Sequence, residues 1–288
     1  MAIFTNQATL SYRNGVVTSN VVTGEIVEVL TADKNALIDN YGVGDTLTYV
    51  INIINSGNAA VDNVEVTDDL GAYEFGTSTL VPLSYVERSV AYYSNGVLQP
   101  DPAVTSGPSL IISGITVPAN GSAVLIYQAS VNEFAPLGEG GEITNTAEIK
   151  GAGICNDVVV TETVRVSERP LLGISKAISP TTVTENGQVT YTFTVQNFGN
   201  TDAVATDDLV LTDTFDPALS RIIVTYNGDV WTEGDQYNYN EETGEFSTVA
   251  SNITVPAATF TQDSETGEWN VIPGVSIVTV VGNITCES

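Results

Sequence analysis

The sequence predicts an all-β protein: two tandem immunoglobulin-like β-sandwiches, the second lacking its closing hairpin, preceded by a separate N-terminal β-hairpin. Three observations carry this prediction. Apolar and polar residues alternate at period two through short segments; Gly, Asn, Asp and Pro clusters punctuate them; and one long pattern occurs twice. Several short strands with turn signals between them suggest sandwiches, and no convincing amphipathic helix competes with them.

The first element, residues 1–29, reads as a hairpin. Phe4, Asn6, Ala8 and Leu10 fall in one phase, Arg13, Asn14 and Gly15 form a turn, and an apolar run from Val21 to Val29 returns. The first repeat spans 30–168. In the segment LTYVINI, Leu47, Tyr49, Ile51 and Ile53 are in phase, the mark of a strand with one buried face. The second repeat spans 169–288 and opens its counterpart with VTYTFTV, where Val189, Tyr191, Phe193 and Val195 share a face.

The two repeats align feature by feature. Lys34 precedes Tyr49 by the same interval that separates Lys176 from Tyr191. The punctuation Asn55-Ser-Gly-Asn58 corresponds to Asn197-Phe-Gly-Asn200, and Val66-Thr-Asp68 to Leu211-Thr-Asp213. The run ITVPA starts at Ile115 and again at Ile253, and the apolar run 124–131 matches 277–284. The first repeat then continues through Ile143, Asn145, Ala147 and Ile149, a glycine turn and residues 158–166, a closing hairpin. The second has no such hairpin before Ser288, whereas the N-terminal element resembles it: Asn6 matches Asn145, Ala8 matches Ala147, and Leu10 matches Ile149.

A sandwich lacking its last two strands exposes core groups and an unpaired strand edge, and an isolated two-stranded hairpin is marginally stable. Docking one on the other relieves both, by donor-strand complementation. About five residues separate Val29 at the end of the hairpin from Lys34 in the first repeat, a reach of at most ~18 Å, against a sandwich some ~40 Å long. The expected partner is therefore another copy. A donor surface meeting a different acceptor surface grows head to tail into a filament. A reciprocal two-fold dimer, or a merely decorative hairpin, are the alternatives.

Composition excludes several other functions. Eight Lys plus Arg against 35 Asp plus Glu give a formal charge of −27, which repels nucleic acid and anionic membranes. No stretch is apolar enough for membrane insertion. There is no histidine, no phosphate loop, no nucleophile elbow and no zinc spacing. No enzyme acting on an external substrate, no cofactor and no metal site is expected. A surface adhesin or a calcium-dependent module is the alternative, based on the acidic runs Asp68-Asp69 and Asp207-Asp208. No secretory signal is visible at the N-terminus, so an extracellular or spore-surface location would follow signal removal or release by lysis.

The Lys…Tyr, Asn-x-Gly-Asn, (Val/Leu)-Thr-Asp, ITVPA and Ile-Thr-Asn-Thr-Ala motifs quoted above together resemble the repeat of unknown function numbered eleven, common in surface proteins of bacteria and archaea. The opening Asn-x-Ala strand and Asn-Gly turn look like short clostridial members, some similar to proteins of ribbon-like appendages on endospores. The resemblance implies an immunoglobulin-like fold and a surface setting.

Surface sandwiches of bacterial fibres often carry a Lys–Asn isopeptide bond promoted by a carboxylic acid. That chemistry needs a desolvated, nucleophilic lysine, an acid kept protonated by an apolar setting, and an asparagine within reach. The sequence offers the set twice: Lys34, Asp68 and Asn145 within the first repeat, and Lys176 and Asp213 in the second, with Asn6 of another copy completing it. Cys155 and Cys286 are a candidate cross-subunit disulfide.

Overall fold

A computed structural model describes residues 2–284. It is all-β apart from one 3-10 turn, Ala205–Asp207. Two compact units result. The first comprises Met1–Ala135 and Glu142–Arg165, the second Pro136–Gly141 and Val166–Ser288. The sequence-drawn junction at 168/169 thus lies three residues beyond the observed one. The loop 136–141 joins the second unit, where the Val166 amide donates to the Gly141 carbonyl at 2.8 Å.

Within the first unit two six-stranded sheets face each other. One centres on Thr46–Asn55 and Gly121–Val131, with Leu30–Ala36 at its edge. The other runs, in spatial order, Ala103–Ser106, Leu110–Val117, Val61–Asp68, Glu142–Lys150, Val158–Val166, Asn40–Tyr41. Period-two alternation makes these sheets one-sided: Leu47, Tyr49, Ile51 and Ile53 are fully buried, opposite Val64, Val66, Ile112 and Ile149. The strand Val61–Asp68 is paired on both sides, by Leu110–Val117 and by Glu142–Lys150.

The second unit has a five-stranded sheet ordered Leu172–Ser179, Gln188–Asn197, Gly274–Ile284, Leu219–Tyr226, Asp229–Val230. Facing it is a smaller sheet, Thr212–Thr214, Glu245–Thr248, Tyr237–Tyr239. Val189, Phe193, Val195, Phe215, Phe246, Val278 and Val280 form its core. The repeat pattern holds strand for strand in the large sheet: Tyr49 pairs with Tyr127, and Tyr191 with Val280. It breaks at the second ITVPA run. Ile115 and Val117 lie in a long strand, whereas Val255 forms only an isolated bridge to Ala203. Among the described residues, the second unit has no counterpart of Glu142–Lys150 and Val158–Val166. Among those residues Thr212–Thr214 pairs with Glu245–Thr248 alone, and its other edge has no strand beside it.

The N-terminal residues form a hairpin in two segments. Ala2–Asn6 pairs with Val22–Ile26, and Thr9–Tyr12 with Gly15–Thr18 around a two-residue turn at Arg13 and Asn14. Between the segments one extra residue on the returning strand shifts the register. The irregularity is held by Ser19, whose amide donates to the Ala8 carbonyl and whose Oγ accepts from the Ala8 amide, both at 2.9 Å. Strand geometry stops at Ile26, short of the expected Val29, and residues 27–29 connect to Leu30.

Candidate cross-link sites

Lys34 lies on the edge strand Leu30–Ala36 and points between the sheets of the first unit. Its Nζ donates to Asp68 Oδ2 at 2.7 Å, and both side chains are 0% exposed. Asp68 ends the strand Val61–Asp68. Its Oδ1 accepts the Leu70 amide at 3.0 Å, and its Oδ2 also accepts the Tyr127 hydroxyl at 2.5 Å. Asn145, on the neighbouring strand, donates from Nδ2 to the Tyr127 hydroxyl oxygen at 3.2 Å, while its Oδ1 is buried with no partner. Alternation explains the convergence: Asn145 shares phase with buried Ile143, Ala147 and Ile149. The three residues expected from the sequence therefore meet in one polar pocket inside an apolar core. Burial draws the Lys34 ammonium below the usual lysine range, against the opposing pull of Asp68. Burial, and then the Asp68 charge, push the Tyr127 hydroxyl well above the usual range.

Tyr127 is the member that the sequence reading missed. It lies within the apolar run 124–131, and its ring stacks on Tyr49 at 5.5 Å between centroids, as a core aromatic would. The available signal was the break in the repeat, where Val280 occupies the matching register position.

The second unit holds the same Lys–Asp pair without its cover. Lys176 is hydrogen-bonded to Asp213, but the side chains are 39% and 19% exposed. Lys176 Nζ lies over the rings of Tyr191, Phe193 and Phe215, 4.7 to 5.4 Å from their centroids. The whole inward phase of this edge strand is open. Leu172, Ile174 and Ile178 are exposed, whereas Leu30, Ala32 and Ala36, at the matching positions, are buried or half-buried. Tyr191 is likewise half-buried where Tyr49 is fully buried.

Asn6 sits on the exposed N-terminal hairpin, in phase with Phe4 and Leu10 and directly opposite Val22. Val17 stands opposite Leu10 on the same face, and Phe4, Leu10, Val17 and Val22 are all more than half exposed. The Phe4 ring lies over Gly24, which has no side chain to obstruct it. Cys155 is exposed in the loop between Glu142–Lys150 and Val158–Val166, beside residues 26–30; Cys286 lies outside the described residues.

The acidic runs considered for calcium are committed elsewhere. Asp68 holds Lys34 and Tyr127, and Asp69 accepts the Gly71 and Thr146 amides at 2.8 and 2.9 Å. Asp207 accepts the Val204 amide, and Asp208 the Ser251 hydroxyl. Converging carboxylates are what a calcium site requires. Among the described residues no group of three or more acidic or cysteine side chains could hold a metal.

No protein-family model matches the chain, so the repeat-family resemblance rests on the motifs quoted above, and no curated protein matches it. Solved structures do. The chain is similar to the major pilin subunit of Bacillus cereus, at 14% identity and TM-score 0.36 over 94% of this chain and 73% of that one. It is similar to the pilus backbone of Streptococcus pneumoniae, at 14% identity and TM-score 0.36 over 85% of this chain but 55% of that one. A third likeness is to the collagen-binding domain of a Staphylococcus aureus adhesin, at 12% identity and TM-score 0.28 over 49% of this chain and 98% of that domain.

Proposed function

We propose that the chain is a structural fibre subunit that polymerises head to tail: residues 1–29 of one copy dock as donor strands on the second repeat, 169–288, of the next. One contrast carries this reading. The Lys–Asp pair of the first unit is sealed by a strand bearing Asn145, while the Lys176–Asp213 pair is open and the hairpin bearing Asn6 has an exposed apolar face. The repeat correspondence sets the register. Ala147 pairs with Asp68 and Ile149 with Val66, so Ala8 would pair with Asp213 and Leu10 with Leu211 of the next copy. Main-chain bonds would then complete the bare edge of Thr212–Thr214, and Leu172, Ile174 and Ile178 would be covered.

In this reading each subunit is closed by a Lys34–Asn145 isopeptide bond and each junction by a Lys176–Asn6 bond, with Asp68 and Asp213 as the promoting acids. A Cys155–Cys286 disulfide between copies would add a second seal on exposure to an oxidising medium. The assembly belongs outside the cell or on a spore surface, where a formal charge of −27 keeps fibres solvated and apart. The test is a chain lacking residues 1–29, imaged by electron microscopy beside the full chain. The full chain should form filaments that survive boiling in denaturant, with covalent ladders abolished by Lys176→Ala. Long filaments from the truncated chain would refute the mechanism.

A further inference from the structure

The polar pocket of the first unit contains a group that the Lys–Asp–Asn scheme does not use. The Tyr127 hydroxyl stands between the Asp68 carboxylate, 2.5 Å away, and Asn145 Nδ2, 3.2 Å away. Nδ2 is the atom that must leave as ammonia if Lys34 and Asn145 are joined. An amide nitrogen leaves only after it gains a proton, and Asp68 has no hydrogen bond to Asn145 through which to deliver one. We infer that Tyr127 is the proton relay of this site, passing a proton from Asp68 to the departing nitrogen of Asn145. This rests on the cross-linking reading proposed above.

The step balances without any outside reagent. Lys34 gives a proton to the Asp68 carboxylate and attacks Asn145 Cγ as the free amine. Asp68 passes that proton to the Tyr127 oxygen while the Tyr127 proton moves to Nδ2. The Cγ–Nδ2 bond breaks, ammonia departs, and the new amide nitrogen releases its extra proton to Asp68. One Nζ–Cγ bond forms and one Cγ–Nδ2 bond breaks. Asp68 ends protonated, and Tyr127 ends as it began.

The surroundings require a relay and not a separate ionisation. Tyr127 is buried beside a carboxylate, where a free phenolate would be costly, so it can give up a proton only as it receives another. Asn145 Oδ1 is buried and makes no hydrogen bond. At the junction site, Val280 takes the register position of Tyr127, so no hydroxyl stands at that place beside Asp213.

The experiment follows the loss of ammonia by intact mass at timed intervals after synthesis of the full chain and of Tyr127→Phe. The phenylalanine keeps the ring, so the core is retained, and melting curves check that it folds. The expected result is a parent chain one ammonia lighter and a variant whose bond forms about 10²- to 10⁴-fold more slowly, the usual worth of a positioned acid–base group. Should the variant fail to fold, the parent rate in mixtures of light and heavy water decides. Two protons moving together through Tyr127 give a curved dependence on deuterium content, and a linear one overturns the relay. A folded variant that loses ammonia as fast as the parent overturns the relay and leaves the bond standing. A parent chain that loses none overturns both.

Discussion

Replacing Lys34 by Met should destabilise the first unit by about 3–5 kcal/mol, whereas Lys176→Met should cost the isolated chain at most about 1 kcal/mol. The reasoning starts from burial. Lys34 and Asp68 are 0% exposed and 2.7 Å apart, and methionine keeps the length and apolar stem of lysine over the Tyr49 ring. What is lost is the countercharge, and a buried carboxylate left without its partner costs about 3–5 kcal/mol. At Lys176 the pair is 39% and 19% exposed, so water solvates Asp213 when the lysine is removed, as for surface pairs worth about 0–1 kcal/mol. Both variants are made in an Asn145→Ala background so that no covalent bond enters the comparison. Hydrogen exchange reads the first unit: amides of Leu30–Ala36 and Thr46–Asn55 should exchange roughly 10²- to 10⁴-fold faster in Lys34→Met, at about 1.4 kcal/mol per tenfold. Fluorescence reads the second, because the two tryptophans, Trp231 and Trp269, both lie there. Equal costs at the two sites would refute the contrast between a sealed and an open pair.

Other consequences can be checked separately. In the Asn145→Ala chain Lys34 titrates below its unfolded value of about 10.4, because desolvation outweighs the pull of Asp68. The unfolded chain then holds more protons in the window between the two values. First-unit stability should rise as pH climbs through it, be lost as pH falls through it, and lose this rising limb in Lys34→Met. Tyr41, Tyr49 and Tyr127 are shifted upwards by burial, so their contribution is present below about pH 10 and lost above it; ultraviolet titration should show them ionising only as the unit unfolds. Leu10→Asp places a charge on the open hairpin face, where Leu10 is 65% exposed, so the melting temperature of the monomer should not move while filament yield falls at least tenfold. A matching fall in monomer stability would mean that this face is already packed.

Much of this arrangement was legible because alternation at period two is a local signal. Leu47, Tyr49, Ile51 and Ile53 are buried as their phase requires, and Lys34, Asp68 and Asn145 converge because each takes an inward position on its own strand. Tyr191 has the same phase as Tyr49 but is only half-buried, since phase specifies a face and not what covers it. The second ITVPA run repeats the sequence of the first without repeating its strand. Between it and Phe193 the chain passes through the 3-10 turn Ala205–Asp207 and the left-handed Asp208 (φ 51°), and Val255 forms an isolated bridge to Ala203. Tyr127 stayed hidden because an aromatic ring in an apolar run reads as core. Its hydroxyl has a role only once Asp68 and Asn145 arrive from strands distant in sequence.

The filament proposal depends most directly on which amides become protected on assembly. Hydrogen exchange compared between monomer and filament should show new protection in two places together: Ala2–Tyr12 of the hairpin and the bare edge Thr212–Thr214. The strand Val61–Asp68, already paired on both sides, should be unchanged. Filaments in which the hairpin and Thr212–Thr214 exchange as fast as in the monomer would contradict donor-strand assembly.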